Sequence, residues 1–123
     1  KGVESEEFAK TLLDKSKKEY EISKKPIVEA MFAAGNFFMA KHSINPITKL
    51  SYFNKGKKAL ENAIKNEPKN LEIRFLRYVS QSEAPGFLGY KKNLEEDKKF
   101  ILNEYKNTKD VYLINKIKTH FKI

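Results

Sequence analysis

The chain has 123 residues, 33% of them charged, with 25 Lys and Arg against 16 Asp and Glu, a formal net charge of +9 and no Cys. That length suits one domain, and the absence of Cys excludes a disulfide scaffold, a thiol nucleophile and any Cys-ligated zinc or iron–sulfur site. No apolar run approaches the roughly 18 residues of a membrane span. The first residue is Lys, which implies a chain trimmed at its start, and a removed signal peptide is one route to that.

The first helical pattern runs from about Ser5 to Ile22, with Ser5 as N-cap, Glu6 and Glu7 at the positive helix end, and a partial stripe of Phe8, Leu12, Leu13 and Tyr20. Pro26 fits the first position of a second helix that continues to about His42. Ile27, Val28, Ala30, Met31, Phe32, Ala33, Ala34, Phe37, Phe38, Met39 and Ala40 give it apolar residues at nearly every angle, so it is expected to be buried on most sides. Gly35 in its interior costs about 1 kcal/mol of helix propensity, which close packing explains.

Asn45-Pro46 signals a restart, and the third helix reaches about Asn66 with Ile47, Leu50, Phe53, Leu60, Ala63 and Ile64 on its inner face. Gly56 on that face points to a close helix crossing. Glu67-Pro68 ends the helix, and Asn70 caps a fourth from Leu71 to about Ser82. Ala84-Pro85-Gly86 and Gly89 then hold a loop. Asn93 with Glu96 three residues later reads as a variant capping box for a fifth helix lined by Leu94, Ile101 and Tyr105 and ending near Asn107. Thr108 or Asp110 opens a last helix with Val111, Ile114, Ile117 and Phe121 at helical spacing. No segment alternates as a strand does. The expected fold is all-α, about six helices in antiparallel pairs, forming one domain over residues 1–123.

Counting back from Pro68, Ala63, Leu60 and Gly56 stand five, eight and twelve residues before it. This small–large–small–Pro spacing resembles the second helix of a tetratricopeptide repeat, and it implies a compact helix-pair fold over about residues 26–106. The equivalent positions of the preceding helix fall on Ala40, Ser43 and Ile44, which depart from the motif. A second resemblance is carried by Phe38–His42, Asn45-Pro46, Lys49–Lys58, Leu71–Tyr78, Ala84–Tyr90 and Glu95–Lys98, which look like a family of small exported bacterial proteins. It implies a periplasmic or secreted location and no particular activity.

Arg74 and Arg77 are the only arginines, and with Gln81 they form a stripe about 60° wide on the fourth helix, opposite Leu71, Phe75, Leu76 and Val79. Two guanidiniums a turn apart suit a carboxylate or phosphate. Pairing with Asp or Glu of the last helices, an arrangement that would orient the loop at Ala84–Tyr90, is the first expectation for them. His42 stands at a helix C-terminus, where the dipole favours it as a cap, and it also suits a groove beside the arginines. Tyr90 closes a loop of Phe87, Leu88 and two glycines that either plugs the core or walls a groove. No nucleophile elbow, paired histidines, HExxH or phosphate-cradling Gly loop is present, and the paired carboxylates at Glu6-Glu7 and Glu95–Asp97 sit in helix first turns.

The expectation is therefore a non-catalytic binding module without cofactor or metal. His42, Arg74, Arg77, Gln81 and Tyr90 would meet a protein or peptide partner of acidic character. Lys scattered among Glu and Asp makes nucleic acid a weaker partner, and an anionic polymer held by the basic surface is the alternative.

Overall fold

The computed structural model describes residues 10, 11, 13–15 and 25–123, and the chain divides into two compact units, Lys1–Pro68 and Lys69–Ile123. The fold is all-α, and the helices associate in pairs as expected. Most of the first expected helix lies outside the described residues; of it, residues 10, 11 and 13–15 are helical.

In the first unit, α1 spans Pro26–His42 and α2 spans Pro46–Asn66. Pro26 occupies the start of α1, where its missing N–H costs nothing. Asn45 caps α2, its side-chain oxygen accepting the N–H groups of Ile47 and Thr48 at 2.8 and 3.3 Å. The helices cross where side chains are smallest. A Cβ on Gly56 would meet the Phe37 ring at 2.9 Å and the Ala33 carbonyl oxygen at 3.0 Å, while Ala33, Ala59, Leu60 and Ala63 are buried. On the other side, a Cβ on Gly35 would come within 3.2 Å of the Leu13 Cα. Both interior glycines therefore stand at close approaches.

Two sequence expectations change here. Helix α1 is less enclosed than its composition implies: Met31 is exposed, and Ile27, Val28, Phe32, Phe37 and Phe38 are half-buried. Its buried positions are mostly small, Ala30, Ala33, Gly35 and Ala40, with Met39 the one large apolar side chain among them. Ile47 and Leu50 are not on the inner face of α2 but exposed. At 100° per residue they stand about 120° and 60° from Phe53 on the side away from Gly56, Ala59 and Ala63, which pack inward.

In the second unit, α3 spans Leu71–Glu83, α4 spans Leu94–Glu104 and α5 spans Val111–Phe121, with 3-10 turns at Gly86–Leu88 and Tyr105–Asn107. Asn70 caps α3 by accepting from Ile73 N–H at 3.1 Å, and Asp110 caps α5 by accepting from Leu113 N–H at 3.1 Å. Phe75, Ile101, Tyr105, Leu113 and Ile117 form the buried core, with Leu71, Tyr78, Val79, Ile114 and Phe121 packed around it. Tyr105 opens the 3-10 turn that follows α4 and is buried beside Ile101, four residues before it. Val111, expected in the apolar stripe, is exposed; Leu113 fills the core instead.

Candidate functional site

The arginine stripe of α3 faces α4. Asp97, in the first turn of α4, is wholly buried and takes both ends of the Arg77 guanidinium: Nε donates to Oδ2 at 2.7 Å and Nη2 to Oδ1 at 2.8 Å. Arg74 Nε stands 3.0 Å from the same carboxylate without aligning for a hydrogen bond, and its guanidinium lies 4.5 Å from the centre of the Phe100 ring. Exposed Glu96 is 3.8 Å from both guanidiniums. Two cations thus face two anions, which is the condition for burying such a cluster.

Gln81 continues this polar seam. Its side chain is fully buried, donating to Asn93 Oδ1 at 2.9 Å and accepting the Asn93 N–H at 3.0 Å. The capping box expected of Asn93 and Glu96 is therefore not formed. Asn93 makes no side-chain cap to the α4 backbone, and Glu96 reaches only its Nδ2, at 3.4 Å. Gln81 accepts the N–H that the box would have given to Glu96.

Tyr90 is buried, whereas Phe87 on the intervening turn is exposed and Gly89 supplies a positive φ of 69°. The loop is thus anchored at its tyrosine and open at its phenylalanine. His42 belongs to the first unit and the other four candidates to the second. Its ring packs on Phe38 with centroids 4.5 Å apart. The carbonyls at that helix end go elsewhere: Lys49 Nζ donates to Ala40 and Lys41 oxygens at 2.7 and 3.3 Å, and Ser43 Oγ donates to Met39 at 2.7 Å.

The first unit holds a feature that reading the lysines as scattered passes over. A groove of about 790 Å³ runs between α1 and α2. Phe32, Asn54 and Ala59 line it together with Lys55, Lys57, Lys58 and Lys65. Of its two acidic lining residues, Glu29 is buried with both carboxylate oxygens 2.9 Å from Asn62 Nδ2, and Glu61 is half-buried. A signal is present in the sequence: from Ala30 to Leu60 there is no Asp or Glu, while the same stretch carries five Lys. Three of those five, Lys55, Lys57 and Lys58, line the groove, while Lys65, Glu29 and Glu61 lie just outside the stretch.

Among the described residues no group of three or more His, Asp or Glu is placed to hold a metal ion. No family model matches this chain, and neither a curated protein nor a solved structure matches it.

Proposed function

We propose that the chain is a non-catalytic helical binding module whose first unit takes an acidic peptide segment of a partner protein along the α1–α2 groove. The observation that carries this is the groove's lining: four lysines against two carboxylates, one of them already held by Asn62. Half-buried Phe32 and the alkyl stems of the lysines offer apolar contact for the partner's side chains, and the ammonium groups offer charge. The tetratricopeptide-like reading belongs to the same proposal. Gly56, Leu60 and Ala63, the residues of the motif, are all buried in α2, and helix pairs of that kind present grooves to peptides. An exported location, implied by the second resemblance, completes it.

In this reading Arg77, Gln81 and Tyr90 shape the second unit from within, and Arg74 is the stripe residue nearest to solvent. Fluorescence anisotropy with a labelled peptide alternating Glu and Leu tests the groove against a control alternating Lys and Leu. Binding of the acidic peptide alone, weakened at least about tenfold in Lys58→Glu/Lys65→Glu and kept in Arg74→Ala, is the expected result. Equal affinity in the charge-reversed variant rejects the groove. Tight binding of heparin or polyphosphate with a steep salt slope, insensitive to that pair, transfers the function to the whole basic surface.

A further inference from the structure

The start of α2 forms a second surface, separate from the groove. Every residue from Ile44 to Ser51 is exposed, and three are large aliphatics: Ile44 at 95%, Ile47 at 81% and Leu50 at 46%. Ile47 and Leu50 lie about one turn apart on the helix, and Ile44 directly precedes the cap residue Asn45. This end of the α1–α2 hairpin thus shows solvent a cluster of apolar side chains where a connecting segment ordinarily shows polar ones.

Three observations select an occupant. Charge comes first: the hairpin end lies inside the acid-free stretch Ala30–Leu60, and the two charged residues nearest its aliphatics in sequence, Lys41 and Lys49, share one sign, while Lys55, Lys57 and Lys58 stand further along α2 in the groove. The backbone comes second. The Ile47 and Thr48 N–H groups are taken by Asn45 Oδ1, Lys49 N–H by the Asn45 carbonyl at 2.9 Å, and the last carbonyls of α1 by Lys49 and Ser43. With these groups paired inside the protein, fewer donors and acceptors at the junction need water, which lowers the cost of entering a medium poor in it. Third, Lys49 places its ammonium at the negative end of α1 and so offsets it, while the positive end of α2 sits at the hairpin end itself and adds to the cationic character.

We propose that the Ile44–Leu50 hairpin end docks on an anionic lipid surface, its aliphatics entering the interfacial zone while the lysines meet the headgroups. This is peripheral attachment: no helix among the described residues is long and apolar enough to cross a membrane. It is independent of the peptide-binding groove, which lies further along α2.

The chain has no Trp, so Ile44→Trp supplies a single reporter at the hairpin end, and Phe87→Trp supplies a control on an equally open loop of the second unit. Both proteins are sedimented with vesicles of equal parts phosphatidylglycerol and phosphatidylcholine, and with phosphatidylcholine alone. The expected result is sedimentation with the anionic vesicles only, with a blue shift of the indole emission in the Ile44→Trp protein and none in the Phe87→Trp protein. Ile47→Ser/Leu50→Ser, checked for unchanged helical circular dichroism, is expected to lower the bound fraction at least about tenfold. Sedimentation of the Ile44→Trp protein without an emission shift makes the attachment purely electrostatic and overturns the proposal. So does equal binding to both vesicle types, or no binding. A concentration-dependent dimer lost in the double-serine variant overturns it in favour of self-association. A blue shift of the Ile44→Trp protein on adding a protein partner without lipid, in place of the lipid response, does the same in favour of an apolar pocket on that partner.

Discussion

In the first unit α1 and α2 approach until only a glycine fits between the Phe37 ring and the Ala33 carbonyl, and their contact is built from Ala, Gly, Leu and Phe. In the second unit α3 and α4 are joined through Arg77, Asp97, Gln81 and Asn93, a buried polar seam beside an apolar core. The same topological job, holding two consecutive helices together, is thus performed by steric fit in one case and by charge and hydrogen bonding in the other. The difference bears on the proposed function: the seam engages its own arginines, whereas the first unit's crossing is made by small residues and Lys55, Lys58 and Lys65 are exposed.

The sharpest way to break this comparison is to remove the anion of the seam. Asp97→Ala strands a buried guanidinium, which typically costs about 3–5 kcal/mol. Native-state hydrogen exchange is expected to show protection lost in α3 and α4 while α1 and α2 retain theirs. Equal loss in both units would mean that the seam stabilises more than its own helix pair. Replacing both partners, as Asp97→Leu/Arg77→Met, strands no Arg77 guanidinium and leaves Arg74 with Glu96, so it is expected to be milder than Asp97→Ala alone.

Steric fit is tested by Gly56→Ala. The new Cβ gains helix propensity worth about 1 kcal/mol, yet it meets a ring carbon and, less yieldingly, a backbone oxygen. Overpacking of this kind costs about 1–3 kcal/mol, so net destabilisation in urea melts is expected. Adding Phe37→Leu relieves the ring contact but not the one with Ala33, so it rescues only part of the loss. A stabilised Gly56→Ala protein would show that the crossing is looser than its geometry implies.

Gln81→Leu probes the polar seam more gently, since it removes the acceptor of the Asn93 N–H and the donor to its Oδ1. Asn93 is half-buried, so water reaches part of the orphaned pair and a loss of about 1 kcal/mol is expected. Thermal melts of Gln81→Leu and Gln81→Glu separate loss of the bonds from loss of shape, because the carboxylate keeps the acceptor.

How much of this is legible in the sequence follows from which interactions are local. Caps and breakers act within a few residues. Asn45-Pro46, Asn70 and Glu67-Pro68 accordingly mark helix ends that the structure reproduces, Asp110 is the one of the two candidate caps, Thr108 and Asp110, that opens the last helix, and Pro26–His42 and Pro46–Asn66 have the expected bounds. The failures come where a distant group competes. Asn93 has the spacing of half a capping box, but Gln81, twelve residues earlier, claims both its N–H and its Oδ1. Ile47 and Leu50 pass for core only when apolar character is read without asking on which side of Phe53 it falls, since the buried Gly56, Ala59 and Ala63 lie on the other. The pairing of Arg77 is open in the sequence between an internal carboxylate and a partner's, since helical spacing shows which residues share a face and not what that face meets. The groove escapes for a related reason: its lysines all lie on α2 but its other wall, Glu29 and Phe32, belongs to α1, and charge averaged over the chain hides the one-signed stretch.

The smallest expected effect concerns a device the two units share. Lys49 Nζ donates to the Ala40 and Lys41 carbonyls at the end of α1, and Lys91 Nζ donates to Gln81 and Ser82 at the end of α3, at 2.9 and 3.4 Å. In each unit a lysine eight to ten residues downstream folds back onto the negative end of the helix before it. Such contacts contribute about 0.3–1 kcal/mol, and salt screens them. Lys49→Met and Lys91→Met keep the alkyl stem and remove the charge, so each is expected to lower the melting temperature slightly, with a difference that shrinks at high salt. Lys91 is half-buried and Lys49 exposed, so the Lys91 effect should be the larger and the less salt-sensitive. If the order is reversed, the hairpin end of the first unit depends on its lysine more than steric fit alone requires. The contrast between the two units would then narrow to the helix crossings themselves.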